Sequence, residues 1–165
     1  MPQFDHSGFD AVLPPQGRLL GVDLGTKTIG LALSDISRTV ASPLETIRRV
    51  KFSIDVQRFF ALIDEHAVAG VVLGLPMNMD GTAGPRVQAT RAFASEVLKR
   101  RDLALSFWDE RLSTAAVTRM MIDADMTRAR RAELVDKLAA TYILQGFLDG
   151  AATRRRACGG QGGDV

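Results

Sequence analysis

The chain is poor in the residues that most often carry redox and zinc chemistry. Its 165 residues include one cysteine, Cys158, in a Gly-rich C-terminal stretch. That excludes an intrachain disulfide and a cysteine-cluster metal site. Two histidines, His6 and His66, leave little material for a zinc site or a serine triad. His66 follows Asp64 and Glu65 on an amphipathic stretch and reads as a solvated helix end. No apolar run approaches the ~18 residues that a membrane span needs. The first residues, MPQFDHSGFDAVLPPQG, have neither a basic start nor an apolar signal core, which points to a cytoplasmic location and no membrane partner. Net charge is only +2, too small to argue for nucleic-acid binding by itself.

What is present fits one domain. Hydrophobic residues make up 46% of the chain, enough at this length to bury a sizeable core. The basic residues are clustered: Arg48, Arg49 and Lys51; Lys99 to Arg101; Arg128, Arg130 and Arg131; Arg154 to Arg156. Each cluster alone reads as a solvated helix end.

Residues 1–17 hold three prolines and two glycines and few periodic apolar positions, so the expectation is an unstructured leader. Arg18 to Asp23 and Thr28 to Ser34 predict two strands joined by a short Gly-containing turn, a hairpin signal. Thr39 to Ile47 predicts a third strand, which Pro43 restricts to a sheet edge. Ser53 to Ala67 places Val56, Phe59, Phe60 and Ile63 at helical spacing, with Ser53 as the expected N-cap. The run Val71–Leu73, bounded by glycines, suits a strand buried on both faces. After the loop MNMDGTAGP, Pro85 opens a helix to about Arg101. A strand from Leu103 to Trp108 follows, ending at Asp109-Glu110-Arg111. A short helix capped by Ser113 or Thr114 and a last helix from Ala132 to Leu148, closed by Gly150, complete the order. Residues 151–165 read as a disordered Arg/Gly-rich tail. The expected organisation is therefore a leader at 1–17, an α/β domain at 18–150 and a tail at 151–165. The domain begins with an antiparallel hairpin and continues with parallel crossovers.

Three acids stand in unusual places. Asp23 ends an apolar, strand-like run, where a lone charge is costly unless paired or bound to a cation. Glu110 lies at the end of a strand, and in α/β sheets ligands sit outside the carboxyl ends of strands. Asp136 heads an inward face of the last helix, followed by Ala140, Ile143 and Phe147. Clustered carboxylates repel one another unless a cation is present, and hard oxygen ligands suit Mg²⁺ or Mn²⁺. Two such ions about 3.5–4 Å apart would serve phosphodiester cleavage. Plainer roles stand beside this one. Asp23 would cap its own turn, Asp136 would favour the helix dipole beside Arg130 or Lys137, and Glu110 would pair with Arg111. Asp109 is an alternative to Glu110, because neighbouring strand residues point to opposite faces.

GVDLGTKTIGLALSD, GLPMNMDGTAG, DERLST and VDKLAATYILQGFLD, in this order and spacing, resemble the YqgF/RuvX family of pre-16S ribosomal RNA nucleases, also described as Holliday junction resolvases. The match runs from about Arg18 to Gly150. The resemblance implies a ribonuclease H-like fold: a mixed five-stranded sheet whose first three strands are antiparallel, with flanking helices. It implies a nuclease that uses Mg²⁺ or Mn²⁺, as two ions, with the acidic positions of the family falling on Asp23, Glu110 and Asp136.

Around these acids, Lys27 offers a charge to a phosphate from a turn flanked by Gly25 and Gly30. Asn78, just past Gly74 and Pro76, would bond sugar or phosphate. Arg111, Arg130 and Arg131 would border the cleft as phosphate contacts. Trp108 would stack on a base or, given its strand, pack in the core. The expected substrate is precursor ribosomal RNA, trimmed at its 5′ end by a monomer or homodimer. Branched DNA is the alternative substrate. A non-catalytic RNA-binding role in ribosome assembly is the alternative from another class. Asp-Leu-Gly-Thr-Lys also resembles the phosphate loop of actin-like ATPases, but those proteins need two such domains to enclose a nucleotide.

Overall fold

The computed structural model describes residues 6–78, 80–109 and 128–159. The order of elements is α1 (His6–Val12), β1 (Arg18–Leu24), β2 (Thr28–Ser34), β3 (Ala41–Arg48), α2 (Phe52–Glu65), β4 (Val68–Leu75), α3 (Pro85–Arg100), β5 (Leu105–Asp109) and α4 (Arg128–Gly159). The five strands form one sheet in the order β3-β2-β1-β4-β5. β1 pairs antiparallel with β2 and β2 with β3, while β1–β4 and β4–β5 are parallel. This is the mixed sheet expected of a ribonuclease H-like chain. Pro43 lies on the edge strand opposite Ala32, where the register shifts, so its missing N–H costs the ladder little.

Alternation along the central strands divides the core in two. Leu20, Val22, Ile29, Leu31, Val71, Leu73 and Leu105 face α2 and α3, which contribute Phe59, Ile63, Phe93 and Val97. On the other face Leu19, Ala32 and Val72 meet Ala140, Ile143, Leu144, Phe147 and Leu148 of α4. Those α4 positions recur at three- and four-residue intervals, the stripe a helix presents to a sheet. The close approach of α4 to β1 depends on Gly21. A Cβ there would lie 2.6 Å from Leu144 Cβ and 2.9 Å from the Ala140 carbonyl oxygen. No helix among the described residues is long and apolar enough to cross a membrane.

Both chain ends carry more structure than expected. Within 1–17, residues His6–Val12 form a helix whose Phe9 is fully buried edge-on against Phe147, with ring centroids 5.4 Å apart. Phe9 occupies the space a side chain at Gly70 would need. The last helix does not stop at Gly150 but runs to Gly159. Gly150 packs beside Trp108, whose ring carbon lies 3.4 Å from where a Cβ would stand, an ordinary contact distance. Beyond it Ala151 is buried, and Arg154 lies over the Phe147 ring and 3.6 Å from Asp10.

At the N-terminal cap of α2 the residue is Lys51, without a side-chain cap bond, so Ser53 is not the cap. Buried Asp55 does a similar task, accepting a hydrogen bond from the Val50 N–H at 3.0 Å. The β2–β3 loop is ordered by Asp35, which accepts from the Thr39 N–H at 2.7 Å, the Val40 N–H at 3.0 Å and the Ser37 hydroxyl. Those bonds, Ser37 foremost, hold the Asp35 carboxyl down to about 2.

Candidate active site

Asp23 is half-buried near the C-terminal end of β1. Alternation from Leu19 and Gly21 puts its side chain on the α4 face of the sheet. Gly30 is its partner on β2. The β1–β4 register, read one residue past Val22–Leu73, sets Gly74 on the other side, and Gly74 pairs with Trp108 of β5. Across this rim the α4 face thus reads Gly30, Asp23, Gly74, Trp108. The residues on either side of Asp23 carry no side chain.

Trp108 packs against the α4-side core, edge-on to Phe147 at 6.1 Å, so its role is packing rather than base stacking. Asp109 follows it and therefore belongs to the opposite face. This separates Asp109 from Asp23. Glu110 and Arg111 lie outside the described residues.

α4 runs antiparallel to β1. Its Ala140 and Leu144 stand at Gly21, while Phe147, Leu148 and Ala151 surround Leu19 in a cavity of about 200 Å³ at the far end. Two residues of strand from Gly21 to Asp23 advance about 6.6 Å, and four residues of helix from Ala140 back to position 136 about 6 Å. The turn of α4 before Ala140, which includes position 136, therefore lies toward the Asp23 end of β1. The side chains of Arg130, Arg131 and Asp136 lie outside the described set. Among the described residues no group of three His, Cys, Asp or Glu side chains could hold a metal ion, as expected when two of the three proposed ligands are not in that set.

The turn after Asp23 is built tightly. The Gly25 N–H donates to the Thr28 carbonyl at 2.9 Å. A Cβ on Gly25 would stand 2.8 Å from that same oxygen, so glycine is required there. Lys27 is exposed at the tip. Its carbonyl accepts from the Arg49 N–H at 2.9 Å, and the Arg49 guanidinium donates to the Gly25 carbonyl at 2.7 Å. In sequence Arg49 is one member of a basic cluster; its bond to a residue 24 positions away has no local sequence signal. Asn78 is exposed on the loop before α3. Its side-chain amide donates to the Thr82 hydroxyl at 3.0 Å, and its backbone bonds Thr82 and Gly81. Asn78 therefore shapes this loop.

Known proteins of the same kind are numerous. A family model described as "RuvX: Holliday junction resolvase" matches residues 17–150. The chain is 59% identical over 157 residues to a Rhodospirillum rubrum protein named "Putative pre-16S rRNA nuclease", covering 94% of this chain and 97% of that one. A Beijerinckia indica protein of the same name is 60% identical over 138 residues, covering 84% of each chain. Among solved structures, the yeast mitochondrial Holliday junction resolvase Ydc2 superposes with a TM-score of 0.55 at 13% identity, covering 90% of this chain and 84% of that one. That likeness concerns the fold.

Proposed function

The chain belongs to the RuvX family, and from that premise we propose that it is a divalent-metal-dependent nuclease that hydrolyses phosphodiester bonds in precursor 16S ribosomal RNA in the cytoplasm. The observation that carries this reading is the place of Asp23: a half-buried carboxylate at a strand end, on the α4 face, flanked by glycines. Carboxylate oxygens are hard donors of the kind that suit Mg²⁺ or Mn²⁺.

Asp23, Glu110 and Asp136 would hold the metal. Asp109 is assigned no ligand role, because it faces away from Asp23. When bound, the ions lower the pKa of a water and stabilise the charge on the leaving oxygen. Lys27 presents its ammonium to a backbone phosphate next to the scissile bond, and Arg111, Arg130 and Arg131 bind phosphates along the cleft. Asn78 contributes through the loop it shapes. The glycines beside Asp23 leave the sugar-phosphate backbone room to approach the carboxylate.

Asp23→Asn removes one negative charge at nearly constant volume. It is expected to abolish Mg²⁺- or Mn²⁺-dependent cleavage of precursor RNA while leaving the unfolding midpoint unchanged. Undiminished cleavage by this variant refutes the assignment. The family's association with Holliday junction resolution supports a second reading, resolution of branched DNA. Cleavage of a four-way DNA junction and of precursor RNA, compared at matched salt, separates the two.

A further inference from the structure

We infer that Arg49 is a positioning residue for this site: its guanidinium locks the turn that carries Lys27 and follows Asp23. The catalytic part of this inference rests on the nuclease reading. The contact itself does not. Arg49 is half-buried, one residue past the end of β3, and reaches the turn twice, through its N–H to the Lys27 carbonyl and through Nη1 to the Gly25 carbonyl. Those two acceptors bracket Thr26. The Gly25 N–H closes the turn from inside on the Thr28 carbonyl.

Arg49 is in turn fixed from behind. The next N–H, that of Val50, donates to buried Asp55 at 3.0 Å, and the Lys51 carbonyl accepts from the N–H groups of Ile54 and Asp55 at 3.0 Å. A chain of bonds therefore runs from the first turn of α2 through Arg49 to the turn beside Asp23. A hydrogen bond from a charged donor is worth more than a neutral one, and a planar guanidinium fixes direction as well as distance. An exposed lysine on a three-residue turn would otherwise sample many positions. Held at its backbone, it loses less freedom when it meets a phosphate. Arg49 thus acts through Lys27.

The test uses the full chain with Arg49→Ala, Lys27→Ala and both together. Amide hydrogen exchange at Gly25 reports the turn directly and needs no activity. Arg49→Ala is expected to speed it about tenfold, with the unfolding midpoint changed little. Cleavage kcat should fall about tenfold in Arg49→Ala and by less than about twofold when Lys27 is already alanine, the non-additivity of residues acting as one unit. Arg49→Lys, keeping a donor without the fork, should recover part of both readouts, and it carries the comparison should Arg49→Ala fail to fold. Unchanged exchange at Gly25 overturns the inference. So do cleavage losses that multiply, which would make Arg49 a phosphate contact of its own. Absence of cleavage by the unaltered chain would sink the nuclease reading, while exchange at Gly25 would still decide whether Arg49 fixes the turn.

Discussion

Replacing Gly21 with alanine adds one methyl group where the structure has no room for it. The new Cβ would stand 2.6 Å from Leu144 Cβ and 2.9 Å from the Ala140 carbonyl oxygen, whereas ordinary contact begins at 3.4 Å. Neither obstacle is the end of a flexible side chain. One is the root of a buried leucine and the other is helix backbone, so relief requires α4 to move off β1 by about 0.8 Å. Close-packed interiors resist such shifts, and overpacking typically costs about 1–3 kcal/mol. The value here belongs at the upper end, near 3 kcal/mol, because Leu144, Ala140 and Ile143 are fully buried. Urea unfolding measures it as a lower midpoint at unchanged slope. The same displacement moves position 136 relative to Asp23, so Mn²⁺ affinity should fall along with stability. A Gly21→Ala protein as stable as the parent would refute the close packing of α4 on β1.

Other expectations concern the chain's ends and its acid response. Phe9→Ala is expected to cost about 3 kcal/mol, the low end for a buried phenylalanine since a short terminal helix can detach. Parental stability in thermal unfolding would mean that α1 is not docked. The Asp35 carboxyl is lowered from 3.8 to about 2 in the folded chain. Its contribution is therefore complete above its unfolded value and is lost as pH falls from 3.8 toward 2. Asp35→Ala should flatten that part of the stability–pH curve; an unchanged slope in a series of urea titrations would show that the loop bonds are absent in solution. The group is exposed, so the effect should be modest.

Much of this was readable in the sequence, and the exceptions share a cause. β2 falls on its predicted residues, and β1 extends one residue beyond them to Leu24, because alternation and a Gly turn are local signals. Edge placement of β3 followed from Pro43 alone. α1 escaped because seven residues between prolines have little helical preference; Phe9 is held by a pocket built from Gly70 and Phe147, far away in sequence. Gly150 misled as a helix stop because buried contacts beyond it, Ala151 among them, carry the helix on. Asp23 stood out as a carboxylate ending an apolar run. The face to which Asp109 belongs needed an anchor for the strand's alternation, which the packing of Trp108 on Phe147 supplies. Arg49 was invisible because nothing near it in sequence marks a bond to Gly25.

The most direct measurement is anomalous diffraction from a crystal of the full chain soaked in Mn²⁺. Anomalous density is expected at the C-terminal end of β1, within bonding distance of Asp23, Glu110 and Asp136. Manganese sites elsewhere, with none at Asp23, or carboxylates too far apart to share an ion, would contradict it.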